Sequence, residues 1–227
     1  MNGFAILTPD GPLHRIARAP DPWAWPDWSY AGPDGTFGNR WDDPLGSYRV
    51  LYASTRRAGA FVETLARFRP DLSVIAGLEA IEGDNDAPTP GVVPRRWLEG
   101  RRIGETTISG DFVDIGDTRS LTTLRTALAA RAIHYGMNDI DAATIRRDAP
   151  RRFTQEISRF VYQWRADHDT CAGICYRSRL GDQYTNWAIF EPSPDTELDA
   201  SHTSSSEIEA NDPDLLEALR LLHLELG

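Results

Sequence analysis

The sequence predicts a mixed α+β fold. Three observations carry that prediction. Short runs of β-branched and aromatic residues recur as far as residue 191, amphipathic helical periods separate them, and the two do not alternate as a doubly wound parallel sheet requires. Phe4–Leu7 is a short apolar run ended by the turn at Pro9–Pro12, and Leu13–Ala19 reads as an extended segment carrying His14, Arg15 and Arg18. Residues 20–47 are rich in Pro, Gly, Asp and Trp and read as a loop. Four of the seven Trp lie in it (Trp23, Trp25, Trp28 and Trp41), which argues against disorder.

Tyr48–Ala53 has strand composition. Ser54 or Thr55 then caps a helix over Arg57–Arg67, with Ala60, Phe61, Thr64, Leu65 and Phe68 near helical spacing, and Pro70 ends it. Residues 73–81 read as a strand or short mixed segment, Asp84–Pro94 as a loop, and Trp97–Ser109 and Phe112–Ile115 as further strands. Thr118–Tyr135 is a helix with Leu121, Leu124, Leu128, Ala132 and Tyr135 on one side, terminated by Gly136. Asp141–Arg147 is a second, short helix. Pro150 opens a third that runs to about Asp167, with Phe153, Ile157, Phe160, Val161 and Trp164 turned inward. Gly173–Tyr176 and Asn186–Glu191 are strands separated by a turn at Gly181–Asp182. Residues 192–211, rich in Pro, Ser, Thr and acids, read as a linker. Asp212–Pro213 starts a last helix, with Leu215, Leu219, Leu222 and Leu226 at helical spacing.

With 227 residues, 41% of them hydrophobic, the chain suits one domain with additions or two small ones. No run approaches the ~20 apolar residues of a membrane helix. Residues 1–10 lack the basic-then-apolar pattern of a signal peptide. Both readings point to the cytoplasm. The formal net charge is −10, and it is unevenly placed: residues 1–181 hold 23 Arg against 23 acids, whereas residues 182–227 hold one Arg against eleven. A neutral, arginine-rich body with an acidic tail disfavours direct nucleic-acid binding. All 24 basic residues are Arg, which excludes a Schiff-base lysine and a phosphate-binding P-loop. Cys171 and Cys175 form one C-x₃-C pair with no second pair, too few ligands for zinc, so no metal site is expected.

Two blocks carry chemistry. The first runs Gly38-Asn39-Arg40-Trp41-Asp42, then Gly46, Val50-Leu51-Tyr52-Ala53-Ser54 and Ala60-Phe61-Val62-Glu63. The second is Gly173-Ile174-Cys175-Tyr176-Arg177-Ser178, followed by Asn186 and Ile189-Phe190, and His14-Arg15-Ile16 precedes both. In this order and spacing they resemble the RES domain, over about 15–69 and 150–191. Asn39 stands where that pattern has a second Gly. Asp42 stands where it has Asn, bringing a negative charge beside a pocket for an anionic ligand. The resemblance implies an ADP-ribosyltransferase-like mixed sheet with flanking helices. On it the chain divides into a NAD-binding catalytic domain over 1–191, with a helical insertion near 118–148, and an acidic linker plus C-terminal helix over 192–227. It also implies a toxin-like enzyme that degrades NAD⁺, with inorganic phosphate as a candidate co-substrate and no other cofactor, held inactive by an antitoxin that carries a DNA-binding domain.

The residue chemistry suits that reaction. Cleaving the nicotinamide–ribose bond needs the pyrophosphate fixed, the nicotinamide held and a carboxylate near the developing ribosyl cation. Arg40 offers a guanidinium fork to phosphate, with Arg15 as a second contact. Tyr52 suits stacking on nicotinamide. Glu63 is the candidate carboxylate, against the plainer reading of a solvated residue paired with Arg67 one turn on. Strand parity puts Ser178 on one face with Tyr176 and puts Arg177 and Arg179 on the other. Ser178 is expected to orient ligand rather than act as a nucleophile, because no partnered His is evident. Trp41 is a packing residue or a ligand contact, and Asn186 closes the set. Two other readings stand beside this one: transfer of ADP-ribose to a macromolecule, and an inactive RES-fold scaffold. The leucine face of the last helix either packs on the body or docks a second subunit or the antitoxin.

Overall fold

The computed structural model describes residues 3–73, 75, 91–164, 171–192 and 198–227. Its strands are β1 (Ile6–Leu7), β2 (Leu13–Arg18), β3 (Val50–Ser54), β4 (Gly91–Val93), β5 (Arg101–Ile108), β6 (Asp111–Asp114), β7 (Cys171–Arg177), β8 (Thr185–Phe190), β9 (Ala200–Glu207) and β10 (Leu224–Leu226). Its helices are α1 (Arg57–Leu65), α2 (Arg96–Glu99), α3 (Thr118–His134), α4 (Arg151–Trp164) and α5 (Pro213–Leu222). Eight strands form one sheet in the order β1-β6-β7-β8-β3-β2-β5-β9, and β4 and β10 form a small parallel pair. Within the large sheet β6 and β7 run parallel and the other neighbours antiparallel. This is the mixed α+β architecture expected. Among the described residues no helix is long and apolar enough to cross a membrane.

Period-two alternation divides the central strands between two faces. Leu13, Leu51, Ala53, Cys175, Trp187 and Ile189 point to one face and form a core under the 20–27 loop, which contributes the buried Trp23. The two cysteines are free and buried on β7. The opposite face is covered from both ends. On one side α3 and α4 bring Leu124, Phe153 and Ile157 against Val50, Ile174 and Phe190. On the other, α1 and α5 bring Phe61, Leu65, Leu215 and Leu219 against Ile16 and Ile103. Each such leucine contributes roughly 1.5–3 kcal/mol by leaving water. Region 118–148 is thus part of the packed body, through Leu124, Leu128, Ala132 and Ile145.

The tail departs from expectation. The linker read over 192–211 is overturned across Ala200–Glu207, which form β9 and pair with β5 from Arg102↔Glu207 to Ile108↔Ala200. The reason is physical. An edge strand exposed on both sides needs no apolar alternation, so Ala-Ser-His-Thr-Ser-Ser-Ser-Glu carries no strand period. The last helix starts where expected: the Asp212 carboxylate accepts from the Asp214 and Leu215 N–H groups and Pro213 fills the first turn. Its apolar face packs on the body, and Arg57 at the head of α1 binds Asp212 at 2.5 Å and Asp214 at 2.7 Å. Acids that looked like a solvated tail therefore anchor α5.

Smaller differences also have causes. The strand expected at Trp97 begins with the helical turn α2, because Trp97 and Leu98 must both reach the core before β5 starts at Arg101. The short helix expected over Asp141–Arg147 ends as a wide π turn over Thr144–Asp148. Most of the segment expected as a strand at 73–81, and residues 84–90 of the expected loop, lie outside the described residues.

Candidate active site

The helices at the two ends leave the middle of the sheet face open. One register row crosses it: Tyr176 on β7 pairs with Asn186 on β8, Asn186 with Ser54 on β3, and Ser54 with His14 on β2. The β2–β3 ladder consists of that last pair, after which the strands part. Arg15 enters there. Its Nε donates to the Pro22 carbonyl at 2.7 Å and its Nη1 to the Tyr52 carbonyl at 2.9 Å. Burial lowers its pKa to about 10, so it stays charged at neutral pH. Arg15 therefore braces the loop and β3, with Nη2 as the nitrogen left over among the described residues.

Helix α1 brings Glu63 over the row. Gly59 allows this, because a Cβ there would stand 2.3 Å from the Ser54 Oγ. One turn later Glu63 reaches Asn186, whose Nδ2 donates to the Glu63 Oε1 at 2.7 Å. The carboxylate is otherwise exposed, and its partner is Asn186, not Arg67. Asn186 is 1% exposed and its Oδ1 is buried without a hydrogen-bond partner. An orphaned buried carbonyl carries a desolvation penalty of roughly 1–3 kcal/mol. A ligand donor would relieve it. Asn186, His14, Arg15, Tyr52, Ser54 and Glu63 all border a small cavity of about 90 Å³.

Arg40 arrives on the Gly38–Asp42 turn, which Gly38 permits with φ +78°. The turn is held on all sides. Asp42 accepts from the Asn39 N–H at 2.6 Å and from the Tyr52 hydroxyl at 2.6 Å. That hydroxyl accepts from the Trp41 N–H at 3.0 Å, and Ser158 donates to the Trp41 carbonyl at 2.5 Å. Asp42 is 3% exposed, and the negative charge expected at the pocket is instead spent closing the turn. Burial raises the Tyr52 pKa well above the ordinary phenol value, so it stays a donor to Asp42. Trp41 is 1% exposed and packs on Tyr176, with ring centroids 5.5 Å apart.

Arg40 projects into a larger cavity of about 550 Å³ that also meets Tyr52, Glu63, Tyr176, Arg146, Arg147, Arg151 and Arg179. Its Nη1 donates to the Arg146 carbonyl at 2.8 Å. Burial lowers the Arg40 pKa, which an anion beside it would restore. Arg146 is tied to Asp182 and to the Ser178 carbonyl. The lining is thus strongly basic, with Glu63 as its one acid among the described residues. Tyr176 feels both charges: burial raises its pKa first, Glu63 adds to the rise and Arg40 opposes it. Its hydroxyl is a protonated donor at neutral pH.

Ser178 is placed differently from the parity reading. Strand β7 ends at Arg177, and Ser178 starts the turn. Its hydroxyl accepts from the Leu180 N–H at 2.9 Å, its own N–H binds the Tyr184 carbonyl at 2.9 Å, and it is 1% exposed and outside the cleft lining. The structure therefore places Arg40, Tyr52 and Glu63 in the lining of the larger cavity and Arg15 and Asn186 in that of the smaller one, which Tyr52, Glu63 and Tyr176 also line, with Trp41 buried against Tyr176 and Ser178 in a supporting turn. Sequence reasoning missed Arg146, Arg147 and Arg151, which arrive from a segment a hundred residues after Arg40. It also passed over Tyr176, whose shared row with Asn186 was visible only through strand pairing.

No curated protein matches the sequence. The fold is similar to that in the crystal structure of the M. tuberculosis MbcT-MbcA toxin-antitoxin complex, with a TM-score of 0.52 and 11% identity over 97% of this chain and 92% of that one. The family model described as the RES domain matches residues 12–210, nearly the whole of the 227-residue chain and every residue of the cleft, and the chain belongs to the RES domain family.

Proposed function

We propose that this chain cleaves the nicotinamide–ribose bond of NAD⁺. The observation that carries the reading is the charge content of the cleft: one carboxylate, Glu63, lines it together with Arg40, Arg146, Arg147, Arg151 and Arg179 and with Tyr52 and Tyr176. Arginines match pyrophosphate oxygens, and Arg40, desolvated and lacking an acidic partner among the described residues, gains most from an anion. With the pyrophosphate held there, the ribose next to the nicotinamide reaches Glu63.

The reaction breaks the bond between ribose C1 and the pyridinium nitrogen. The bonding pair leaves with nicotinamide, which becomes neutral, and positive charge develops on the ribosyl ring. Glu63 stabilises that charge and accepts from the ribose hydroxyls, while Asn186 fixes its carboxylate. The orphaned Asn186 Oδ1 accepts a further ligand donor. Water or inorganic phosphate then attacks the cation and loses its proton, giving ADP-ribose or ADP-ribose 1″-phosphate. Loss of NAD⁺ makes the activity toxin-like. The similar fold, solved as a toxin-antitoxin complex, supports an antitoxin partner for this chain as well.

The test is to incubate the purified protein with NAD⁺, with and without inorganic phosphate, and identify the products by chromatography and mass. ADP-ribose 1″-phosphate formed only with phosphate makes it a phosphorylase, and free ADP-ribose in both samples makes it a glycohydrolase. Intact NAD⁺ in both, after release from any co-purifying partner, overturns the reading.

A further inference from the structure

Three arginines on the sheet face that carries α1 stand without acidic partners. Arg18 ends β2 and Arg101 opens β5, and the two are register partners across the β2–β5 ladder. Arg18 has the strand parity of Ile16 and Arg101 that of Ile103, the residues that pack beneath α1. Arg67 comes from the turn Ala66–Phe68 that continues α1. Like charges directly opposite each other on a sheet are destabilising. Other arginines of these elements are answered: Arg57 binds Asp212 and Asp214, and Arg102 lies 3.5 Å from Glu207. Among the described residues no ion pair reaches Arg18, Arg67 or Arg101.

Each of the three is held by an aromatic ring instead. The Arg18 guanidinium lies over Tyr30 at 4.6 Å, that of Arg67 over Phe68 at 5.2 Å and that of Arg101 over Trp97 at 4.8 Å. Arg101 also donates to the Trp97 carbonyl at 3.3 Å. Stacking fixes the plane of a guanidinium and leaves its N–H edge for a ligand. The arginines also act on one another. Burial lowers the Arg101 pKa first, and Arg67 and then Arg18 add to the fall. Glu99, Glu207 and Glu209 share a cavity lining with Arg101, yet none of them opposes that fall.

We propose that Arg18, Arg67 and Arg101 form a second anion site, which takes a small, multiply charged phosphate ion of the pyrophosphate class. Guanidinium edges match phosphate oxygens. A carboxylate would bring one charge to three cations, whereas pyrophosphate brings several and can meet more than one arginine at once. None of the three lines either cavity of the candidate active site, so the proposal is independent of the NAD⁺ reading.

The test is calorimetric titration of inorganic pyrophosphate into the full chain at low salt, with Arg40→Gln as the parent to weaken binding in the cleft. Adding Arg18→Gln and Arg67→Gln, both at exposed positions, is expected to lower the affinity at least about tenfold. Adding Arg56→Gln and Arg220→Gln instead removes the same charge from other exposed positions and is expected to leave the affinity unchanged. Pyrophosphate is also expected to raise the melting temperature of the parent and not that of the Arg18/Arg67 variant. Should Arg40→Gln not fold, the same pairs in the wild type are read as the number of pyrophosphate ions bound, which is expected to fall by one for the Arg18/Arg67 pair alone. No binding by the parent, or equal losses in the two double substitutions, overturns the proposal.

Discussion

The two ends of one strand pair, β3 and β8, treat a glutamate in opposite ways. At the Val50–Phe190 end, Glu191 is 1% exposed and fully engaged. Its carboxylate accepts from the Arg49 N–H at 3.0 Å, Nε at 2.9 Å and Nη2 at 2.5 Å, and its own N–H returns to the Arg49 carbonyl at 2.9 Å. At the Ser54–Asn186 end, Glu63 is exposed, takes one hydrogen bond, and takes it from an amide whose carbonyl is left without a partner. The first arrangement is complete without any ligand; the second is not. Unsatisfied buried polar atoms are rare, and each asks for an explanation. The proposed function supplies one at the open end, where a ligand donor would meet the Asn186 carbonyl, and that is why the proposal gives the chemistry to Glu63 and not to Glu191.

The sharpest way to break this comparison is to neutralise each glutamate without changing its shape. Glu63→Gln is expected to lower the rate of nicotinamide release by about 10²–10⁴ while the melting temperature barely moves. Glu191→Gln is expected to do the reverse, because it takes the counter-charge of the buried carboxylate site away from the partly buried Arg49. Breaking a buried pair in this way costs roughly 3–5 kcal/mol, readable as a lower urea midpoint, with turnover per folded molecule retained. If the two variants exchange phenotypes, the open end is not the active one.

Part of this was legible in the sequence. Arg40, Tyr52, Glu63 and Asn186 lie in short local patterns, and α1, α3, α4 and α5 announce themselves by period and caps. What escaped has a common cause. Tyr176 meets Asn186 through a β7–β8 ladder, and Arg147 and Arg151 come to the cavity of Arg40 through tertiary packing, so no sequence spacing records either arrangement. Strand β9 escaped because both of its faces meet solvent. Ser178 was misplaced by one residue of strand length. Parity fixes a face only while the strand lasts, and β7 stops at Arg177.

A smaller effect is expected one position deeper into the open end. Asn186→Ala removes both the orphaned carbonyl and the amide that orients Glu63. Misplacing a catalytic group by about 1 Å costs about 10² in rate, so turnover is expected to fall by that order, less than for Glu63→Gln. Stability is expected to hold or rise slightly, since the unsatisfied atom goes with the side chain. A marked drop in melting temperature would mean that Asn186 serves the fold, and the contrast between the two ends would weaken.

The smallest expected effect follows pH. His14 closes the same register row, and its Nδ1 is buried without a hydrogen-bond partner, 3.6 Å from the Glu105 carboxylate. Burial lowers its pKa below 6.5, and Glu105 opposes that shift, Arg57 adds to it and Asp214 opposes it. The folded protein therefore binds fewer protons at His14 than the unfolded chain does. The stability this confers is fully present above pH 6.5 and is lost as pH falls through the lowered folded value. Melting temperatures of wild type and His14→Asn between pH 7.5 and about 5 separate the contributions, the window being set by the ordinary histidine pKa. The wild type is expected to lose more over that interval than the variant, and parallel curves would show that protonation of the open end is not what acid acts on.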